Sequence, residues 1–325
     1  MPQPKHLEAI RPSFGAKLSR YLARSARGKM LPLRRAQAFV TFTFDEVYAS
    51  ACEIAAPILE RHDARGTFYV SASLCDTRRA PGPIATIDQL RTLWAKGHEI
   101  GCHTYAHIPV SSRNIDGLAD DLDCNQQAMK AVHDDAVLRN FAYPYGDLTF
   151  GAKRFLESRF DSCRGVHPGI NVGAANLGAL KAYPLEDASI SYGTISTLIA
   201  QTIQSKGWLV FYSHDVAEHP TKFGVTPGLL EWAVLRAKRA GCVVTTIAET
   251  LKRNAARPAF SEKAEPHRVD APCRLGNGSQ DGSARPRNDA LAPPLDDRSA
   301  VDFPKAGSSL DTRTVAPHRG RNDDF

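Results

Sequence analysis

The chain has 325 residues, of which 42% are hydrophobic and 23% charged, with a formal net charge of +6. That is enough apolar material for one large domain with a sizeable core. No apolar run approaches the roughly 18 residues a spanning helix needs, the N-terminus lacks a signal peptide's unbroken apolar centre, and nowhere do aromatic and basic residues interleave as in a nucleic-acid groove.

Residues 1–35 form a basic arm. Arg11, Lys17, Arg20, Arg24, Arg27, Lys29, Arg34 and Arg35 occur between positions 11 and 35 without an acid among them. Leu7, Ile10, Phe14, Leu18 and Leu22 recur at helical spacing, although Pro12 works against a continuous helix. The arm is either solvated or a short amphipathic helix that docks on its own domain or touches an anionic membrane surface.

From Phe39 to about Leu251, apolar strands alternate with helical stretches. Strands are expected at 38–44, 66–72, 98–102, 139–144, 160–165, 180–185, 207–213 and 241–247. Helices are expected at 50–62, 86–96, 116–133, 149–158, 193–205 and 227–239. Gly97, Gly207 and Gly241 each sit between a helix and the next strand, where a left-handed helix end suits glycine. The alternation argues for a parallel sheet or barrel with helices outside, occupying 36–252. Residues 253–325 are rich in Pro, Arg, Asp, Ser and Gly without periodicity, and are expected to be a disordered tail. The seven cysteines are odd in number, scattered and never in a CxxC pair. They read as reduced thiols, mostly buried, which points to the cytoplasm.

Two stretches carry chemistry. The buried-strand run VTFTFDEV (40–47) ends on two adjacent acids, Asp45 and Glu46, which are either solvated or share a positive partner. GHEIGCHTYAH (97–107) sets His103 and His107 four residues apart after a strand end. On a helical turn both imidazoles would reach one metal ion, with Gly101 letting the backbone turn. His98 and Glu99 read as structural. Two imidazoles and a carboxylate leave positions open on Zn²⁺ or a similar ion, the mark of a catalytic site. Tyr143, Pro144, Tyr145 and Gly146 form a rigid turn whose rings either line a substrate groove or pack the barrel mouth. His214 ends the strand GWLVFYS, placed to protonate a departing amine. These groups all fall at C-terminal strand ends, where (β/α) barrels place their active sites.

These motifs, in this order over about residues 36–251, resemble the polysaccharide deacetylases that share the NodB homology domain (carbohydrate esterase family 4). The resemblance implies a distorted (β/α) barrel of about seven to eight mostly parallel strands. It also implies a metal-dependent hydrolase that removes N-acetyl groups from a carbohydrate of chitooligosaccharide type. Thr43-Phe44-Asp45-Glu46-Val47 stands for the family's TFDDG, making Asp45 the general base and Glu46 a metal ligand. His103, Thr104 and His107 match H-[S/T]-x-x-H and supply the other two ligands. Ala142-Tyr143-Pro144-Tyr145-Gly146 stands for R-x-P-Y-G, with the Tyr145 N–H as oxyanion donor. His214 matches the final histidine motif. The implied partner is an N-acetylated carbohydrate, and the implied cofactor a divalent metal, Zn²⁺ first, with Co²⁺ or another ion as alternatives.

Three positions depart from the pattern. Glu46 replaces an Asp and adds a methylene of reach. Val47 replaces a turn glycine and excludes positive φ at little cost, so the loop is expected to take another course. Ala142 replaces the Arg that orients the base; without a cation the pKa of Asp45 should rise. Arg164, at the end of the next strand, is the candidate substitute, provided it lies within about 6 Å of Asp45. The family's fourth motif, an Asp with a Trp, is not visible. Two alternatives stay open: an amidase or deformylase acting on a non-polysaccharide C–N bond, and a non-catalytic sugar-binding homologue.

Overall fold

The computed structural model describes residues 23, 26, 28–34 and 36–255. The helix expected at the start of the basic arm, and the tail from residue 256 onward, lie outside the described residues. The strands are β1 (Met30–Pro32), β2 (Phe39–Asp45), β3 (Thr67–Val70), β4 (Arg78–Arg79), β5 (Gly82–Pro83), β6 (Glu99–Cys102), β7 (Asn140–Ala142), β8 (Ser162–Arg164), β9 (Ala174–Asn176), β10 (Tyr183–Pro184), β11 (Trp208–Ser213) and β12 (Val243–Val244). The helices are α1 (Ala56–Arg61), which continues a π-turn at Ala51–Ala55, α2 (Ile87–Ala95), α3 (Ile115–Ala128), α4 (Phe150–Arg159), α5 (Tyr192–Ser205), α6 (Pro227–Arg239) and α7 (Ile247–Ala255). Thr86, Asn114, Thr149, Ser191 and Thr226 cap α2 to α6, each side chain accepting a first-turn amide, which contributes about 1 kcal/mol per helix. Among the described residues no helix is long and apolar enough to cross a membrane.

Eight strands form one parallel sheet, ordered β10-β11-β2-β3-β6-β7-β8 with β12 also on β2. β12 pairs with Phe39 and Val40 while β3 pairs with Thr43 to Asp45, so the two share one edge of β2. The sheet curls until a single segment joins its ends. Leu180 exchanges backbone bonds with Cys163 and Gly165 beside β8 (2.8 and 2.9 Å), and Leu185 N donates to Tyr212 O on β11 (2.7 Å). That seam makes the sheet a distorted (β/α) barrel, as the motifs implied.

Every residue of β2 is buried, because helices cover one face and the barrel interior covers the other. Val40, Phe42 and Phe44 join the large outer core with Leu59, Leu93 and Leu230. Phe39 packs with Trp208, Val210 and Leu180 in a separate inner cluster. Strand alternation then carries Thr41, Thr43 and Asp45 inward with Phe39. The Thr41 hydroxyl accepts from Trp208 Nε1 (3.0 Å), and that of Thr43 donates to Phe211 O (2.8 Å).

A polar floor closes the interior at the N-terminal strand ends. Glu99 accepts from Thr67 Oγ1 (2.9 Å), Asn140 Nδ2 (2.5 Å) and the Ala248 amide of α7 (2.9 Å), and Ser162 Oγ donates to Asn140 Oδ1 (2.7 Å). The carboxylate thus sits at a helix N-terminus, where negative charge is favoured. This confirms Glu99 as structural and shows α7, which the strand pattern hid, continuing to Ala255.

Two glycine readings are corrected. Gly97 and Gly241 take the expected left-handed helix ends (φ 80° and 84°), but after α5 that conformation falls on Lys206 (φ 49°). Gly207 is instead required by space: a Cβ there would stand 2.9 Å from Asn171 O. Gly101 does not turn the chain. It lies inside β6, and a Cβ there would meet the Tyr69 ring at 2.5 Å and Asn140 O at 3.0 Å. Gly101→Ala should therefore cost about 1–3 kcal/mol through overpacking against Tyr69, read as a lowered denaturation midpoint. Unchanged stability would overturn that account.

Candidate active site

Asp45 ends β2 inside the barrel, and Arg164 reaches it from β8. The Arg164 guanidinium donates through Nη2 to Asp45 Oδ1, and the two side chains are 0% and 4% exposed. Arg164 lies 5.3 Å from the Tyr69 ring centre and 5.1 Å from that of Tyr212, so aromatic faces flank it as well. Its Nε and the Tyr69 hydroxyl are buried with no hydrogen-bond partner among the described residues. Ala142 is the register partner of Arg164 on the neighbouring strand. The cation missing at position 142 is thus supplied one strand over. Burial alone would raise the Asp45 pKa, but the charges of Arg164, His103 and His214 overcome it and hold the carboxyl below its ordinary value.

The two histidines do not share a helical turn. Thr104 and His107 are both left-handed (φ 61° and 51°), and the Asp121 carboxylate holds the loop by accepting from the Tyr105 and Ala106 amides (2.6 and 3.2 Å). The rings still come to 5.0 Å between centres. His103 Nδ1 bonds to Ala142 O at 2.9 Å; a carbonyl only accepts, so the proton is on Nδ1 and Nε2 keeps its lone pair. His107 Nδ1 bonds to the Tyr145 hydroxyl (3.0 Å), and its Nε2 stands 3.3 Å from Glu46 Oε1. Burial lowers the pKa of His103 to about 4 and that of His107 to about 3. Burial raises the Glu46 pKa, against the pull of His214 and Arg79.

Glu46 and Val47 are also left-handed (φ 58° and 49°). Val47 therefore adopts the glycine-like turn that the sequence reading excluded. Its side chain is buried in the outer core and its carbonyl accepts from Ala85 N (2.9 Å), which offsets roughly 1–2 kcal/mol of left-handed strain.

The two tyrosines of the PYG turn separate. Tyr145, at φ 57°, is 67% exposed and packs on the His107 ring. Tyr143 has an extended backbone (φ −73°, ψ 115°), is buried, and donates its hydroxyl to Gly178 O (3.0 Å). The structure does not bring Tyr143 to the groove; it is a wall residue, which corrects the substrate-lining expectation for it.

His214 ends β11. Its Nδ1 donates to Phe223 O (3.3 Å), fixing the tautomer and leaving Nε2 free of that bond. Glu46, His107, Tyr145 and His214 line one groove of about 490 Å³ together with Tyr48, Arg79, Lys222 and Phe223. A cavity of about 540 Å³ opens at the opposite end of the barrel, beside Trp94, Arg139 and Lys252, away from these groups. Tyr48, Arg79, Lys222 and Phe223 belong to none of the motifs visible in the sequence.

Among the described residues no group of three or more His, Cys, Asp or Glu side chains is drawn together as a formed ion cage. The donor chemistry nevertheless fits a divalent ion. Two neutral imidazoles have their Nδ1 atoms held by a carbonyl and a hydroxyl, the usual support for a ligating Nε2, and a carboxylate stands beside one of them.

Fold and site together define a (β/α)-barrel protein with a histidine–carboxylate cluster at the strand C-termini. Residues 34–157 match the family model described as polysaccharide deacetylase. The fold is shared with the Bc1960 peptidoglycan N-acetylglucosamine deacetylase, at 15% identity and TM-score 0.50, over 68% of this chain and 92% of that one. PdaA of Bacillus subtilis, a family 4 carbohydrate esterase, aligns at 12% identity and TM-score 0.47 over 74% and 90% of the two chains. BA3943 of Bacillus anthracis, a CE4 family pseudoenzyme, aligns at 16% and 0.47 over 67% and 66%. No curated protein sequence matches the chain.

Breaking a buried ion pair from one side leaves an uncompensated charge. Arg164→Met should therefore cost about 3–5 kcal/mol in denaturant unfolding, and adding Asp45→Asn should recover at least half of it. Additive losses would show that the two groups are not energetically coupled.

Proposed function

We propose that the chain is a divalent-metal-dependent hydrolase that removes N-acetyl groups from an amino-sugar oligo- or polysaccharide of the chitooligosaccharide kind. The observation that carries this reading is the buried Asp45–Arg164 pair set beside His103, His107 and Glu46, with Tyr145 and His214 on the same groove.

Glu46, His103 and His107 would hold the ion, Zn²⁺ or Co²⁺. When bound, it supplies Lewis-acid polarisation of the amide carbonyl. Arg164 keeps Asp45 ionised and aimed, so that its carboxylate accepts the proton of the attacking water. The oxyanion takes a hydrogen bond from the Tyr145 amide. That amide stands second in a single 3₁₀ turn whose internal bonds are made by the Gly146 and Asp147 amides. The carbonyl that a Tyr145 amide would reach in a continued turn, that of Ala142, already accepts from His103. Protonated His214, its Nδ1–H tied to Phe223 O, donates from Nε2 to the departing amine nitrogen. The exposed Tyr145 ring offers a face for a sugar. A cytoplasmic setting is supported by the described cysteines, all six of which are free thiols.

The full chain loaded with Zn²⁺ or Co²⁺ should release acetate from N-acetylated chitooligosaccharides, lose activity to EDTA and regain it on metal return. Asp45→Asn should lower kcat by about 10²–10⁴-fold while keeping metal content, and Glu46→Ala should lose the metal. No acetate from any N-acetylated sugar overturns the assignment, and the reverse metal pattern exchanges the two acids.

A further inference from the structure

The groove carries two cations that the proposed chemistry does not use. Arg79 arrives on the β4–β5 hairpin, where it pairs in register with Gly82. Tyr48 ties that hairpin to the site: its hydroxyl donates to Ala80 O (3.0 Å) and its backbone bridges to Ile84. Lys222 arrives on the loop after β11. The buried Asp215 carboxylate organises this loop by accepting from the Thr221 amide (2.9 Å) and hydroxyl (2.5 Å), and Gly224 packs so closely that a Cβ would stand 2.5 Å from Asp215 Oδ1. Lys222 Nζ lies 4.7 Å from the Phe223 ring centre.

Two independently braced segments thus bring a guanidinium and an ammonium to one groove. Neither forms an ion pair among the described residues. Glu46 is the only carboxylate lining the groove among the described residues, and Arg79 and His214 both act on it, so the two cations of the rim outnumber the carboxylates they face. A neutral oligosaccharide needs ring faces and hydrogen bonds, not a surplus of cations over carboxylates. An anionic group between them would gain charge-assisted hydrogen bonds to both, and the field at the groove mouth would draw it in.

We infer that Arg79 and Lys222 are specificity residues that bind a negative group, carboxylate or phosphate, carried by the N-acetylated amino-sugar substrate. This rests on the hydrolase reading for the identity of the sugar, but the charge preference is measurable without turnover.

The test is calorimetric titration of the full chain with three probes at low salt: N-acetylglucosamine, N-acetylglucosamine 1-phosphate and N-acetylmuramic acid. At least one anionic sugar should bind about tenfold more tightly than the neutral one, and which one does so tells phosphate from carboxylate. The ratio should shrink as salt rises through about 0.3 M, collapse toward one in Arg79→Ala/Lys222→Ala, and invert in Arg79→Glu/Lys222→Glu. Both positions are exposed, and retained melting temperature identifies folded variants. Equal binding of all three probes, no binding of either anionic sugar, or a ratio that survives both double variants overturns the inference. Charge preference without acetate release from any sugar would instead leave the anion site standing and remove the hydrolase reading.

Discussion

One guanidinium governs the barrel interior. Arg164 leaves β8, lies between rings carried by β3 and β11, and ends on a carboxylate from β2. A buried cation is tolerated only when its partner and surroundings are in place together, so four strands must hold their register for this one side chain. Neighbouring positions make the room. Gly101 yields space to the Tyr69 ring, and Ala142, the register partner of Arg164, is small. An Arg at 142 as well as at 164 would put two guanidinia in competition for Asp45. A small residue at 142 and an Arg at 164 are therefore complementary at these paired positions.

The rim of the site is strained, while the far end of the barrel is well satisfied. Five of the eight non-glycine residues with positive φ among the described residues are Glu46, Val47, Thr104, His107 and Tyr145. Each follows or lies near a strand end that must turn sharply, and three of them, Glu46, His107 and Tyr145, keep their side chains on the groove. Such strain persists only where surrounding structure over-determines it. Here the constraints are specific: Asp121 accepting from two loop amides, Val47 buried in the outer core, and the Glu99 floor locking α7 beneath the barrel. Stability is concentrated at one end and function at the other, the division expected of (β/α) barrels.

The legible parts of the fold are those whose signal is apolar and periodic. β2, β3, β6 and β11 fall within a residue or two of their expected bounds because their runs are buried on both faces. β4 and β5 read Arg-Arg and Gly-Pro, and no hydrophobic pattern announces such a hairpin, so Arg79 went unremarked. α7 was hidden because the strand pattern was carried through Ile247, which instead opens the helix. At the site, residue identities were readable but conformations were not. A sequence rule forbids left-handed valine, yet burial of its side chain overrides the rule. Two tyrosines separated by one proline look equivalent on paper. The switch from extended backbone at 143 to left-handed backbone at 145 sends one into the wall and the other toward solvent.

The arrangement of charge leaves the rim with more cations than carboxylates. Asp45 is neutralised deep inside by Arg164, and Glu46 stands against His107. Asp45 is therefore met without Arg79 or Lys222, while Glu46, beside a His107 ring that burial keeps neutral, draws on Arg79 and His214. Placing the base-orienting guanidinium inside the barrel separates two electrostatic tasks, tuning the base and meeting the ligand. The second is left to side chains that water still reaches, on segments whose own bracing does not depend on their charge. A groove that is positive at its mouth adds electrostatic attraction for an anion to the ring face and hydrogen bonds it offers any sugar.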